Sequence, residues 1–204
     1  MDEKFKRLLD HEDYEVTLGG IRLQVDQGVF SPDPELTHST GMLLESLPDV
    51  RGKTVADIGC GSGILTIALT QRGAKKIIAS DISLDAIHNA RKNVEQLSPQ
   101  ASVDIRASDL FQNIPEKFDY IFANLPILDE LWSEVGGASK NVLFRFIPEA
   151  LEHLLPEGSI FFPWGSFADI DPIRIWLREN RMTYHESQAE RLGYIWTLFQ
   201  ITKS

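Results

Sequence analysis

The chain has 204 residues, a formal net charge of −10 and a hydrophobic share of 43%. The acidic balance disfavours a broad electrostatic grip on nucleic-acid phosphates, so RNA becomes a less favoured but still open partner. The single cysteine, Cys60, forbids an internal disulfide and is typical of a reducing compartment, from which we predict a cytoplasmic protein. No apolar run approaches the ~20 residues of a membrane span, so we expect no membrane partner.

The first 52 residues predict a small N-terminal extension that packs on the main domain. Two alternating apolar and polar segments flank Gly19-Gly20, which is a hairpin signal. The stretch from 28 to 35 is too rich in proline and turn residues for regular structure. The predicted elements are a short helix over 2–10, strands over 14–18 and 21–25, and a helix through Met42, Leu43, Leu44 and Leu47.

Residues 53–204 predict one α/β domain, because strands and helices alternate along it. The last two strands have no helix between them, which indicates an antiparallel hairpin closing a doubly wound, mixed sheet. The predicted strands are 54–58, 76–80, 103–107, 118–123, 159–162 (after a turn at 156–158), 182–188 and 194–201. The predicted helices start after Gly63, at the capping residue Ser83, near Leu143 (continuing to Leu154) and at Asp171.

Gly59, Gly61 and Gly63 follow the first of these strands and open a helix. Such a turn lets a ligand approach the main chain beside the free N–H groups of a helix N-terminus. The dinucleotide spacing G-x-G-x-x-G is not met, and Asp57, just before the first glycine, would repel a pyrophosphate. A ligand with an ammonium group fits better, whereas glycines that serve packing alone are the simpler alternative. Cys60 is interpreted as a small filler.

Two more carboxylates follow strand ends at the same predicted edge of the sheet. Asp81 ends the second strand of the domain, where a carboxylate can accept hydrogen bonds from two ribose hydroxyls. Asp109 follows the third strand and could accept a hydrogen bond from an exocyclic amine. For both residues the alternative is a solvated acid in a loop, and this alternative is stronger for Asp109.

Asn124-Leu125-Pro126 follows the fourth strand, where the proline holds a rigid, non-helical main chain. The side-chain oxygen of Asn124 and the carbonyl oxygen of Leu125 can accept two hydrogen bonds from one nitrogen and so orient its lone pair. Such catalysis needs no strong base. The alternative is a turn in which Asn124 bonds to its own backbone.

Together, Asp57, the three glycines, Asp81, Asp109 and Asn124 resemble the motifs of class I S-adenosylmethionine-dependent methyltransferases over roughly residues 53–201. The resemblance implies a Rossmann-like, seven-stranded sheet with a reversed last hairpin. It implies that Asp57 binds the methionine amine, Asp81 the ribose and the Asp109-Leu110 region the adenine. The implied cofactor-binding set is Asp57, Gly59, Gly61, Gly63, Asp81, Ile82, Asp109, Leu110 and Asn124.

The segment 124–127 is similar to the Asn-Pro-Pro-aromatic motif of methyltransferases that act on planar nitrogen, such as release-factor glutamine and RNA base methyltransferases. Residues 28–32 and 145–148 also resemble segments of this "small methyltransferase" group. The resemblance implies that Asn124, Leu125 and Pro126 are catalytic. Leu125 replaces a proline of the motif and Ile127 replaces the aromatic ring, so the substrate class does not follow.

We therefore predict an S-adenosylmethionine-dependent methyltransferase with a nitrogen acceptor, on a protein, an RNA or a small molecule. The acidic charge slightly favours a protein or small molecule. A catalytically inactive cofactor-binding module and an NAD-dependent oxidoreductase are the alternatives. The sequence shows no metal-ligand spacing of His and Cys, so no metal is expected. Weaker candidates are His38, Trp132 and Trp164, whereas Trp176 is predicted to lie in the core.

Overall fold

The computed structural model of the protein describes residues 6–127 and 142–203. Nine strands and five α-helices lie within this described part of the chain. The strands are β1 (Tyr14–Leu18), β2 (Ile21–Val25), β3 (Thr54–Ile58), β4 (Lys76–Asp81), β5 (Val103–Ala107), β6 (Phe118–Ala123), β7 (Leu154–Gly165), β8 (Thr183–Arg191) and β9 (Tyr194–Thr202). The helices are α1 (Ser39–Glu45), α2 (Ile64–Gln71), α3 (Leu84–Leu97), α4 (Val142–His153) and α5 (Asp171–Glu179).

Seven strands form one mixed sheet in the order β5-β4-β3-β6-β7-β9-β8. The first five pair in parallel, whereas β9 is antiparallel to both β7 and β8. The predicted seven-stranded, doubly wound sheet with a C-terminal hairpin is confirmed. The chain runs outward from β3 to β5 and returns to β6, so a topological switch point lies between β3 and β6.

Helices cover both faces of the sheet. One apolar core joins the hairpin β1–β2 and helices α1, α2 and α3 to the sheet, and the other joins α4 and α5 to the opposite face. The central strand β3 is buried on both faces, which explains its nearly continuous apolar sequence. Ser83 caps α3 as predicted, because its side chain accepts a hydrogen bond from the Ala86 amide.

The start of β7 differs from its prediction. The segment 156–158 was interpreted as a turn and Leu154 as the end of the preceding helix, but both belong to β7, and α4 ends at His153. Leu154 already pairs with Phe118, and the register shifts before the next pair, Tyr120 with Ser159. Glu157 has a φ of 63°. The proline and glycine therefore mark an irregularity within the strand rather than its boundary.

The N-terminal hairpin forms as predicted, with Gly19 and Gly20 at φ values of 59° and 80°. It packs through β2 against α2 and α3. Of the predicted helix over 2–10, residues 2–5 lie outside the described part, and the amides of Leu9 and Asp10 bond to the Lys6 carbonyl in a single turn. The boundary between an extension (1–52) and a main domain (53–204) stays a prediction.

In the described residues, no helix has both the length and the apolar character required to span a membrane.

Candidate active site

A cavity opens at the carboxyl edge of the parallel strands, next to the switch point. The loops that follow β3, β4, β5 and β6 meet there because parallel strands end on the same edge. The cavity is lined by all the predicted site residues except Gly63: Asp57, Gly59, Gly61, Asp81, Ile82, Asp109, Leu110, Asn124, Leu125 and Pro126.

The three glycines of the turn after β3 have different structural roles. A Cβ on Gly63 would lie 3.1 Å from Ala90 Cα, so this glycine lets α3 pack against the turn. A Cβ on Gly59 would lie 3.3 Å from Leu125 Cδ2, so this one lets the loop after β6 approach. Gly61 alone of the three has open space above it. The sequence predicted ligand access at all three, and the structure offers it most clearly at Gly61.

Asp57 is buried at the end of β3, with 1% of its surface exposed. Thr66 on α2 donates a hydrogen bond to its Oδ2 at 2.6 Å, and no described Lys, Arg or His forms an ion pair with it. Burial raises the pKa of the Asp57 carboxyl to about 7, and the nearby Asp81 carboxylate adds to this rise. A buried carboxylate in this setting favours a cationic ligand.

Asp81 holds the two turns of the site together. Its Oδ2 accepts a hydrogen bond from the Gly61 amide and its Oδ1 one from the Ser83 amide, both at 3.0 Å. Burial raises the pKa of this carboxyl, while the backbone hydrogen bonds act in the opposite direction. The next residue, Ile82, leaves 60% of its surface exposed although it is apolar and lines the cavity. A flat ligand ring would cover it.

Asp109 is paired with a residue that the sequence did not connect to it. Arg145 on α4 donates a hydrogen bond to Asp109 Oδ2 at 2.8 Å. This ion pair occupies one carboxylate oxygen and is partly exposed at the cavity. Leu110, the next residue, is buried at a φ of 48°. Asp109 therefore forms a partly exposed salt bridge, and its predicted role toward the adenine stays a prediction.

Asn124 is oriented by Thr40, a buried residue of α1 that is 84 positions away in the chain. The Asn124 amide nitrogen donates to Thr40 Oγ1 at 3.0 Å. Because the nitrogen is engaged in this way, the side-chain oxygen is the group of Asn124 that can accept a hydrogen bond from another molecule. The bond that the structure describes for the Asn124 nitrogen goes to Thr40 and not to the neighbouring backbone.

The protein matches the family model described as "Methyltransferase small domain" over residues 20–194. The chain belongs to this methyltransferase family. Its reaction class is methyl transfer from S-adenosylmethionine, as the sequence predicted, and the oxidoreductase alternative is not supported.

Named relatives agree with this membership. The chain is 32% identical over 156 residues to a Methanocaldococcus jannaschii protein described as a protein N5-glutamine methyltransferase, covering 71% of this chain and 76% of that one. The crystal structure of a ribosomal protein L11 methylase from Lactobacillus delbrueckii subsp. bulgaricus is 28% identical, with a TM-score of 0.67 over 88% of this chain and 84% of that one.

A second solved structure is similar in fold. The 16S rRNA N2 G1207 methyltransferase of T. thermophilus, in complex with AdoMet and guanosine, is 24% identical, with a TM-score of 0.73 over 95% of this chain and 50% of that one. The chain also spans about half the length of several other curated relatives that it matches.

The residues of the methyltransferase site fit S-adenosylmethionine. The buried Asp57 carboxylate offers the negative charge that an ammonium group requires, and the open space above Gly61 admits a ligand close to the main chain. The exposed apolar surface of Ile82 suits a flat ring. When bound, the cofactor supplies an activated methyl group.

We predict a pH dependence of the thermal shift caused by the cofactor. Between pH 3.8, the pKa of Asp57 in the unfolded chain, and about pH 7, its pKa in the folded chain, the Asp57 carboxyl is protonated to a larger extent in the folded state than in the unfolded state. Its contribution to the free energy of unfolding is therefore fully present below pH 3.8 and is lost as the pH rises through about 7, at a cost of up to about 4 kcal/mol. A bound ammonium group offsets this loss.

The rise in Tm that saturating S-adenosylmethionine produces should therefore be larger at pH 8 than at pH 6. Differential scanning calorimetry with and without cofactor measures this difference. The Asp57→Asn variant is the matched control, because it has no carboxylate to ionise and should lose most of the pH dependence. An equal thermal shift at both values of pH in the wild-type protein would contradict the prediction.

Aromatic side chains form another part of the cavity wall, which the sequence did not reveal. Phe167, in the segment after β7, and Trp196, on β9, lie edge to face with ring centroids 5.5 Å apart. A Cβ on Gly165 would overlap the Phe167 ring, so this glycine allows the ring to fold back. Phe30 lines the cavity from the N-terminal segment. The sequence signal is an aromatic residue two positions after a glycine, at Phe30 and Phe167, and it is not specific.

Of the weaker candidates, His38 and Trp164 are not among the residues that line the cavity. His38 is buried edge to face with Trp196, and burial lowers the pKa of its imidazole. The Trp164 indole donates to the Ala168 carbonyl at 3.2 Å, and Trp176, on α5, packs against the core. Trp132 lies outside the described residues.

Two further observations concern metals and the thiol. Burial raises the pKa of the Cys60 thiol well above its usual value, which agrees with the interpretation of Cys60 as a filler. Over residues 6–127 and 142–203, no three side chains of His, Cys, Asp or Glu converge in a way that could hold a metal ion.

Proposed function

We propose that the protein methylates a side-chain nitrogen of a protein acceptor, with Asn124, Leu125 and Pro126 as the catalytic segment. The orientation of Asn124 by Thr40 is the observation that carries this proposal, because it presents an amide oxygen at the cavity. In this proposal the cofactor is held by Asp57, Gly59, Gly61, Gly63, Asp81, Ile82, Asp109, Leu110 and Asn124.

The proposed chemistry is orientation of the acceptor nitrogen. The Asn124 side-chain oxygen and the Leu125 carbonyl each accept one N–H of the acceptor, which fixes the direction of its lone pair. Pro126 keeps the main chain from becoming helical, so that the Leu125 carbonyl stays available. These residues need not remove a proton before transfer, since the nitrogen becomes acidic once it is methylated.

The charges of the cavity favour a protein acceptor over RNA. Arg145 is the one cationic side chain among the described residues that line the cavity, and it is already paired with Asp109. Three carboxylates line the same cavity, those of Asp57, Asp81 and Asp109. A phosphate close to the reacting base would meet this negative field without an available cation among the described lining residues.

The similarity to known proteins also supports a protein acceptor. The relative described as a protein N5-glutamine methyltransferase is matched over 76% of its length, and the L11 methylase structure over 84%. Curated ribosomal protein L11 methyltransferases are 29–36% identical to this chain and are matched over about half of their length. The predicted cytoplasmic location agrees with an acceptor of this kind and stays a prediction.

Transfer of labelled methyl groups tests this function. The protein is incubated with S-adenosylmethionine that carries a labelled methyl group and with cell extract, and the products are divided into protease-treated and nuclease-treated samples. We expect label that protease removes and nuclease does not, and peptide mass spectrometry should place the methyl group on a nitrogen. The Asn124→Ala variant is the control for contaminating activity.

Two outcomes would contradict the proposal in different ways. Label that nuclease removes would show an RNA acceptor and would leave the reaction class intact. No label in either sample, together with measurable cofactor binding by calorimetry, would show an inactive cofactor-binding module, which the replacements at Leu125 and Ile127 permit.

A further inference from the structure

Two buried asparagines on α3 attach the N-terminal hairpin to the main sheet. Asn89 and Asn93 are four residues apart and so lie on one face of the helix, and they are 0% and 1% exposed. Both side chains donate a hydrogen bond to the carbonyl oxygen of Gln24 in β2, at 3.1 Å and 2.7 Å respectively.

These carboxamides act like the peptide groups of a neighbouring strand. Asn93 Oδ1 accepts the Gln24 amide at 3.3 Å while its Nδ2 donates to the Gln24 carbonyl. Asn89 Oδ1 accepts the amide of Asp26, two residues further along, at 3.4 Å. The edge of β2 that faces away from β1 is thereby satisfied by helix side chains instead of a strand.

Asn93 makes one contact that Asn89 does not make in the described part of the chain. Its Nδ2 also donates to the carbonyl oxygen of Ser62 at 2.9 Å. Ser62 lies between Gly61 and Gly63 in the turn that lines the cofactor cavity. Helix α3 meets the same turn through Ala90, which packs against Gly63. One amide nitrogen therefore joins the hairpin to the cofactor turn.

We infer that Asn93 is a positioning residue that couples docking of the N-terminal hairpin to the cofactor-binding shape of the glycine turn. The Ser62 carbonyl belongs to the peptide unit that precedes Gly63, so the bond from Asn93 fixes the orientation of that peptide. When the hairpin leaves α3, Asn93 loses its partners on Gln24 and with them its orientation. Linkage requires the reverse effect as well: the cofactor stabilises the docked hairpin.

The test compares Asn93→Ala with Asn89→Ala. Both substitutions remove a buried carboxamide and hydrogen bonds to the hairpin, so both should lower the thermal stability. Isothermal titration of S-adenosylmethionine should show a dissociation constant raised about tenfold by Asn93→Ala and less than about threefold by Asn89→Ala. Equal losses of affinity, or no loss in either variant, would overturn the coupling.

A second measurement uses the wild-type protein and decides the question if Asn93→Ala does not fold. Hydrogen exchange of the Gln24 and Asp26 amides is followed by NMR with and without S-adenosylhomocysteine. We expect the ligand to slow exchange at Gln24, although this amide lies outside the cavity lining. Unchanged exchange at Gln24 under saturating ligand would overturn the inference. Neither readout depends on the identity of the methyl acceptor.

Discussion

Replacement of Asp57 by asparagine should raise the dissociation constant for S-adenosylmethionine about 100-fold. The carboxylate is 1% exposed, its one described side-chain hydrogen-bond partner is Thr66, and it forms no ion pair with a described residue. An ammonium group would supply the missing positive charge in a region from which water is excluded. Asparagine keeps the shape and the bond from Thr66 but removes that charge, and calorimetric titration measures the loss.

The stability of the same variant shows whether a loss of cofactor affinity comes from the missing carboxylate or from a damaged fold. Asp57→Asn removes a buried negative charge, so its free energy of unfolding without cofactor at pH 8 should equal or exceed that of the wild type. Asp49→Asn is the matched control, because Asp49 pairs with Arg51 on the surface and does not line the cavity. Unchanged cofactor affinity in Asp57→Asn would show that Asp57 is not the ammonium partner.

Much of the fold could be predicted because its signals are local. The alternation in β1 and β2, the glycines between them and the apolar strands β3 and β4 depend on neighbouring residues, and these elements form where expected. The prediction for the start of β7 was wrong because it also relied on local signals. Proline and glycine at 156–158 are local turn signals, whereas pairing with β6 is a tertiary effect that keeps the segment in the sheet.

The candidate site could be predicted residue by residue but not contact by contact. Parallel topology brings four predicted residues to one edge of the sheet. Asp57 and Asp81 lie at the ends of β3 and β4, and Asp109 and Asn124 follow β5 and β6. Their partners come from distant segments, and no sequence pattern connects the members of each pair: Arg145, in the segment 145–148, for Asp109 and Thr40 for Asn124.

The contacts of the glycine turn could not be predicted from the sequence either. The spacing of its glycines is visible in the sequence, but their separate roles depend on Ala90 and Leu125, which pack against the turn only in the folded chain. The bond from Asn93 to Ser62 likewise joins a helix to a turn 31 positions earlier. Such contacts are set by how α3 packs, and no short segment of the sequence encodes them.

The largest effect on turnover is expected from Asn124→Ala. If Asn124 orients the acceptor nitrogen, its removal should lower kcat about 10²- to 10³-fold and leave the affinity for S-adenosylmethionine within a few-fold of the wild type. Asn124 lines the same cavity as the cofactor turn, Phe167 and Trp196, and its side-chain oxygen is assigned to the acceptor. Single-turnover transfer to the acceptor protein, with calorimetry of the cofactor alone, separates the two quantities.

Thr40→Val tests the origin of this effect, because valine has nearly the shape of threonine but cannot accept the bond from Asn124. The unrestrained carboxamide can then turn its nitrogen toward the acceptor, where two donors would face each other. We therefore expect kcat to fall about 10-fold or more in Thr40→Val, with Thr40→Ser close to the wild type because serine keeps the hydroxyl. If Thr40→Val transfers methyl groups at the wild-type rate while Asn124→Ala does not, Asn124 acts without the orientation that Thr40 provides. Full transfer by Asn124→Ala would remove this residue from the catalytic segment.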